Sequence, residues 1–243
     1  MAKTESVGES PRMPRPVIGI VCGIAAEREV LGALIDDPRV AVRVAGARPA
    51  VAEAETTALA ALGCRLIVSW GIAGGLAPGL AAGDVVVPRE VVSEGGEVWE
   101  MAVPDIDRAM MRPVSRLLGI EHVATEVTEK QALAAASGAA LVDMESHRVA
   151  RAAGAAGVPA MVWRSISDPA GRALPALVSD AVTRDGHPAY GRILLGLARR
   201  PFDLPSLIAA GRDSREALAG LAASLPALNA VIDNVAAEVI EPA

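Results

Sequence analysis

Aromatic side chains are nearly missing from this chain. Trp, Tyr and Phe make up 2% of its 243 residues, against 52% hydrophobic residues in all. The core must therefore be built from Ala, Val, Leu and Ile, and any ligand pocket is expected to be mostly aliphatic. Lysine is as scarce, since Lys3 and Lys130 are the only lysines among 23 basic residues. The formal charge is −6 and no basic tract runs along the chain, which argues against nucleic acid as a main partner. The two cysteines, Cys22 and Cys64, lie far apart, in or beside apolar runs. They are expected as buried thiols of a reducing cytoplasm, and without motif spacing they offer no metal site. No uninterrupted apolar run reaches the roughly 18 residues of a membrane span. The opening "MAKTESVGESPRMPRP" has no apolar h-region and reads as a loose tail over residues 1–16.

What is present is alternation. From residue 17 the chain reads strand "VIGIVCGI", helix "AAEREVLGALI", strand "VAVRV", an Ala-rich helix from Pro49 to Leu62 and strand "RLIVSW". After the glycine-rich "GIAGGLAPGLAAG" comes "DVVVPREVVSE", a strand interrupted by Pro88. A helix is expected around residues 105–118, then strand "HVATEV", helix "EKQALAAA", strand "AALVDM", helix "ESHRVARAAGAAG" and strand "AMVWRSIS". Beyond Asp168 the pattern is mostly helical, broken by prolines that include Pro205 and Pro226. Apolar strands alternating with helices predict a three-layer α/β/α domain over residues 17–243, with a largely parallel or mixed central sheet and a helical C-terminal segment from about residue 171.

In such sheets ligands bind beyond the carboxyl ends of the strands. "SWGIAGGL" begins where "RLIVSW" ends, so Gly71, Ile72, Ala73 and Gly74 are candidates for the floor of a sugar or base site. The other reading is a plain strand-ending turn. The stretch is neither a dinucleotide fingerprint nor a Walker loop, because Pro78 and Gly79 follow instead of a helix pattern and no Lys-Ser or Lys-Thr is present; no cofactor motif is apparent. Glu27, Glu145 and Asp168 occupy equivalent places just after strands. Each alone fits a helix-end or capping role. Together they would aim three carboxylates into the crevice that holds the glycines.

The segments "IGIVCGIAAE", "GIAGGLAPGLAAGDVVVP" and "LVDMESHRVARAAGAAGVPAMVWRSISDPA" resemble the signature regions of the nucleoside phosphorylase and nucleosidase superfamily, which cleaves N-glycosidic bonds. "DGHPAYGRILLGLARRPFDLPSLIAAGRDSREAL" resembles the C-terminal segment of one subfamily, the hopanoid-associated phosphorylases or adenosylhopane nucleosidases. The resemblance implies that Asp168 serves N7 of a purine and is oriented by Ser167, that Glu145 accepts from the ribose 2′ and 3′ hydroxyls, that Met144 packs under the sugar, and that Glu27 activates water. Asp168 would then need a shielded site that keeps it protonated, and Glu145 would need to stay ionised, which a helix N-terminus favours. Ile72 and Trp70 depart from the hydroxyl-bearing loop of methylthioadenosine nucleosidases, and no aromatic between His122 and Asp143 is available to stack on the base.

The implied activity is release of adenine from a nucleoside with a large apolar 5′ group. The alternatives are a methylthioadenosine or S-adenosylhomocysteine nucleosidase, a purine nucleoside phosphorylase with Arg48 as the one early phosphate candidate, and a non-catalytic nucleoside-binding protein. The partners implied are a small-molecule nucleoside and further copies of the chain, since the superfamily favours dimers, trimers or hexamers. Tyr190, Ile193, Leu194 and Leu197 fall on one helical face, with Arg192, Arg199 and Arg200 close by. That pattern suits an ordinary packed helix or, alternatively, a greasy channel and peripheral contact with an anionic bilayer.

Overall fold

A computed structural model describes residues 16–104, 111–112, 114–175 and 204–238. The chain opens with β1 (Ile18–Cys22), α1 (Ala25–Val30) and a 3-10 turn over Gly32–Asp36. Next come β2 (Val40–Val44), α2 (Pro49–Ala61) and β3 (Leu66–Gly75). Proline stands in the first turn of α2, where its missing N–H costs nothing. Short strands β4 (Val85–Val86), β5 (Glu90–Ser93), β6 (Val98–Glu100), β7 (Met111–Arg112) and β8 (Arg116–Gly119) lead to α3 (Val127–Ser137). The last described elements are β9 (Leu141–Asp143), α4 (Ser146–Ala155), β10 (Ala160–Asp168) and α5 (Leu204–Ala237).

All ten strands join one mixed sheet. One half is built on β3, which pairs in parallel with β1 and β10. The other half, β5, β8 and β9, is parallel within itself but meets β3 antiparallel, Gly74 facing Val142 and Gly75 facing Leu141. β1 and β9 both pair with β3 away from β10, β1 along Leu66–Trp70 and β9 along Gly74–Gly75. Between them, among the described residues, Gly71, Ile72 and Ala73 have no neighbouring strand on that edge.

Helices cover both faces. On one, Ala52 and Leu59 of α2 and Val149, Ala150 and Ala153 of α4 pack against Val21, Ile67, Leu141 and Val162. On the other, Leu31, Leu221, Leu228 and Ile232 pack against Ile20, Val68, Trp70 and Trp163. The two tryptophan rings lie 5.9 Å apart. Trp163 donates its Nε1–H to Ser224 on α5 at 3.0 Å, which fixes that helix on the sheet. A third apolar cluster seats α3 through Leu133 on Leu118 and Val142. Both cysteines are buried free thiols.

Four expectations need correction. The strand expected to end at Trp70 runs on through the first part of the glycine stretch to Gly75, so Gly71–Gly75 are strand and not a strand-ending turn. The helix expected at 105–118 is replaced, where the chain is described, by β7 and β8; Leu117 and Leu118 fill a buried slot between β5 and β9, and four residues of backbone satisfy both neighbours. "HVATEV" forms no strand, since the amides of Thr125 and Glu126 turn to the Glu129 carboxylate to start α3. Pro205 and Pro226 do not break the C-terminal helix. Pro205 lies in its first turn, and Leu221, Leu228 and Ile232 on either side of Pro226 are buried against the sheet, which offsets the roughly 3 kcal/mol a proline costs within a helix. By length and composition α5 would also suffice to cross a membrane, but here it is a face of the core. Tyr190, Ile193, Leu194, Leu197 and the nearby arginines lie outside the described residues.

One contact tests the seating of α5. A Cβ on Gly220 would overlap the Gly83 carbonyl and lie 2.7 Å from Ser165 Oγ. In a free helix Gly→Ala stabilises by up to about 1 kcal/mol. At this site Gly220→Ala is expected to destabilise by about 1–3 kcal/mol, read as a lower urea midpoint; a raised midpoint would show that α5 does not press on the Gly83 turn.

Candidate active site

The gap on the edge of β3 is filled by a side chain. Glu27 lies in the first turn of α1, just after β1 ends, and its carboxylate is buried. Oε1 accepts the Ile72 N–H at 2.9 Å, and Oε2 accepts from Gly23 at 2.7 Å and Ile24 at 2.9 Å. The carboxylate thus stands in for the missing strand. Gly71 has to be glycine for this, since a Cβ there would lie 2.5 Å from Oε1 and 2.6 Å from the carboxyl carbon. Trp70 donates its indole N–H to the Glu27 carbonyl at 3.2 Å, pinning the start of α1; its ring is fully buried in the core, not in the crevice.

Glu145 reaches the same place from the opposite direction. Because β9 runs antiparallel to β3, the residues after Asp143 return along the gap. A Cβ on Gly23 would lie 3.2 Å from Glu145 Oε1 and 3.3 Å from Glu27 Oε2, so the two carboxyls flank one small volume. Glu145 is the N-cap residue of α4, but its side chain makes no capping bond. Burial, then the neighbouring Asp143, and more weakly Glu27, push its pKa up to about 8 against the pull of Arg164 and the Met144 amide. The expectation that a helix N-terminus keeps Glu145 ionised is therefore corrected: without ligand it holds its proton at neutral pH. The Glu27 pKa is also raised by burial, opposed by Arg164 and its three backbone donors. That moves it toward the range in which a carboxylate takes a proton readily from water.

Beneath the two glutamates lies a charged group that sequence reading did not single out. Arg164 of β10 donates to Asp143 Oδ2 at 2.7 Å, Ser69 Oγ at 2.7 Å, Ser146 Oγ at 3.1 Å and the Trp163 carbonyl at 3.2 Å. Asp143 also accepts the Ser146 N–H at 3.0 Å, which caps α4. The available signal was an arginine in the middle of the apolar strand "AMVWRSIS". Such a residue can be buried only if its donors are met.

Asp168 stands further along β3, opposite Gly74. A Cβ on Gly74 would lie 3.1 Å from Asp168 Oδ2. Three residues of strand separate Gly71 from Gly74, about 10 Å, so Asp168 does not touch the glutamate pair. Ser167 Oγ lies 2.6 Å from Asp168 Oδ1 and 3.2 Å from the Ala73 carbonyl. The resemblance implies a shielded site for Asp168. Its Oδ2 is paired with the buried ammonium of Lys130, on α3. Ala73 turns its methyl into the core, Ile72 packs toward the opposite cluster, and Met144 is half-buried beside Glu145. No group of His, Cys, Asp and Glu among the described residues has the arrangement of a metal site.

The Glu145 environment sets a sign for stability. A carboxyl whose folded pKa is raised binds more protons folded than unfolded between its unfolded value, about 4.3, and about 8. Stability is lost as pH rises through that window. Glu145→Gln removes the ionisation, so its melting temperature should gain on wild type from pH 5 to pH 8, by on the order of 10 °C at the upper end. A constant difference across that range would place Glu145 in contact with solvent.

The family model described as the phosphorylase superfamily matches residues 18–113 and 118–189. No protein of curated function matches the chain in sequence. Among solved structures, 5′-methylthioadenosine/S-adenosyl homocysteine nucleosidase of Helicobacter pylori aligns at a TM-score of 0.66 and 16% identity, over 88% of this chain and 97% of that one. The corresponding Neisseria meningitidis nucleosidase, bound to methylthio-immucillin-A, aligns at 0.64 and 13%, over 84% and 94%. Futalosine hydrolase of H. pylori aligns at 0.58 and 18%, over 85% and 97%. The mixed sheet, its covering helices and the C-terminal helix are the fold of these nucleosidases, and with most of its length matched by the family model the chain belongs to the phosphorylase superfamily.

Proposed function

We propose that the protein hydrolyses the N-glycosidic bond of an adenine nucleoside that carries a large apolar 5′ group, adenosylhopane being the substrate to which the C-terminal segment points. The observation that carries this reading is the buried pair of Glu27 and Glu145 at the β3 gap, with Asp168 about 10 Å further along the same strand. Breaking the C1′–N9 bond leaves a cation-like sugar and an anionic base. A site for it needs a water-activating base and a hydroxyl partner at one end, and a proton source for the purine at the other.

Each residue fits one part of that work. The Glu27 carboxylate has about four acceptor sites and three are taken by backbone N–H groups. The remaining one can hold a water and take its proton. Glu145, which carries a proton when the site is empty, can both donate to and accept from the ribose hydroxyls. Gly71, Ile72, Ala73 and Gly74 form the strand along which sugar and base lie, with Met144 under the sugar, Ser167 orienting Asp168, and Asp168 serving N7. Hydrolysis is favoured over phosphorolysis because an added phosphate would face two carboxyls. Arg164 has four of its five N–H groups engaged, and Arg48 Nε is bonded to the Ala45 carbonyl. The small-molecule partner supported by the solved relatives is a nucleoside: a mutant of the H. pylori nucleosidase was crystallised with 5′-methylthioadenosine in its active site. Methylthioadenosine or S-adenosylhomocysteine cleavage is accordingly the second reading. The first turns of α5 expose Leu204 and Ile208. These apolar side chains suit an acyl-like or polycyclic tail and a peripheral contact with a lipid surface.

Free adenine should appear in phosphate-free buffer. Adenine released only with added phosphate, together with ribose 1-phosphate, would replace hydrolysis by phosphorolysis. A long-chain 5′-alkyl adenosine should exceed methylthioadenosine in kcat/KM by tenfold or more, because each buried CH₂ is worth about 0.8 kcal/mol; equal turnover of the two favours the second reading. Asp168→Asn should lower kcat on the order of a hundredfold or more, and Gly71→Ala, by displacing the Glu27 carboxylate, should cost a similar factor with the fold intact. Losses near twofold in both would remove Asp168 and Glu27 from the chemistry.

A further inference from the structure

Lys130 is the least expected residue near the site. It projects from α3, is 1% exposed, and has three acceptors for its three N–H groups: Asp168 Oδ2, the Arg172 carbonyl at 2.9 Å and the Pro169 carbonyl at 3.3 Å. A neutral amine has two N–H groups and would leave one of these acceptors unmet, so the cage fits an ammonium. The two carbonyls belong to the strap that leaves β10, and that strap is tied on both sides. The Leu174 N–H donates to the Thr125 carbonyl at 2.8 Å, and Arg172 Nε lies 2.8 Å from Asp213 Oδ2 on α5. Lys130 is thus held on a carboxylate that, in the proposed reaction, must deliver a proton.

We propose that Lys130 is the proton reservoir of Asp168. The inference rests on the N-glycosidase reading above. In the resting enzyme the pair is ammonium and carboxylate and carries one transferable proton. As the C1′–N9 bond breaks and its electron pair moves onto the purine, an N–H of Lys130 breaks and an O–H forms on Asp168, while Asp168 passes a proton to N7. Water adds to C1′ and gives its proton to Glu27. After the products leave, Glu27 sheds that proton to solvent and the Lys130 amine takes one up, so the sum is nucleoside plus water to adenine plus free sugar. Asp168 touches the base, and Lys130 acts through it. Among the described residues, the charged groups around the pair are few. Glu126 and Glu129 stand on the lysine's own helix, and Glu129 is turned to His122 at 2.8 Å. Arg172 lies on the strap and is paired with Asp213 of α5. Glu27 and Glu145, at the other end of the site, are common to every enzyme compared below.

The test is the pH profile of kcat for adenine release, from pH 5 to pH 10, in wild type, K130Q and K130R, each checked for folding by circular dichroism and gel filtration. Without the lysine the proton must reside on a carboxyl alone, and a carboxylic acid holds a proton far less tightly than an ammonium does. K130Q should therefore keep activity within about tenfold of wild type at pH 5 and lose a hundredfold or more at pH 8. The alkaline limb should move down by two units or more. K130R retains the charge but does not release its proton, so it should be no better than K130Q at pH 8. A K130Q profile of wild-type shape, or rescue of the pH 8 rate by K130R, would make Lys130 a purely structural residue and overturn the proposal. So, without any variant, would wild-type turnover that is lost between pH 5 and pH 7. A wild-type enzyme that releases no base from any adenosine analogue overturns the function reading itself; one that is active but behaves as just described overturns only the role of Lys130.

Discussion

The β3 edge at Gly71–Ala73 is where this molecule departs from a continuous sheet, and the site follows from that departure. β1 ends opposite Trp70, and β9, running the other way, pairs with Gly75 and then Gly74 and goes no further along β3. The Ile72 amide left between them has to find an acceptor, because a buried N–H without one costs about 1–3 kcal/mol. The acceptor is the Glu27 carboxylate, supplied by the helix that starts as β1 ends. β1 and β9 come along the same edge of β3 from opposite directions and stop short of each other. The space left there admits a carboxylate on one side and, through the return of β9, a second one beside it.

Charge makes this arrangement demanding. Glu27, Asp143, Glu145 and Asp168 are all buried, and the buried cations around them are Arg164 and Lys130. Each cation is matched to one aspartate, Arg164 to Asp143 and Lys130 to Asp168. Among the described residues the two glutamates have no cation of their own. One is held by three backbone donors and the other keeps its proton, with its pKa near 8. Two adjoining carboxyls, one held by backbone donors and the other raised to about 8, are what a site needs to receive one proton and share another with substrate hydroxyls.

The remaining architecture serves to hold these groups still. α5 is fixed to β10 through the Trp163–Ser224 hydrogen bond and to the strap through Arg172 and Asp213. α4 begins on the Asp143 cap one residue after Glu145. Few aromatics are available, so this positioning depends on close aliphatic packing and on glycines at 71, 74 and 220, where a side chain would displace a carboxyl or a neighbouring turn.

Long periodic elements were legible in the sequence because their pattern is local: β1, β2, α2, α4 and β10 fall where apolar runs and helical spacing put them. So were the three carboxylates, each at or just after the end of a strand. The short strands β7 and β8 were not, since four residues carry no period and their state is set by neighbours on either side. The chain by itself determined which groups would be present: a glycine run with no side chains to obstruct it, acidic residues at strand ends, one lysine after residue 16 and one arginine inside an apolar strand. Only the tertiary structure decided what they do to each other. Antiparallel entry of β9 brought Glu145 to Glu27 and raised its proton affinity, and α3 delivered Lys130 to Asp168 across 38 residues of chain. Proton affinity and ion pairing depend on distance and burial in space, and neither is written in the spacing of residues along a sequence.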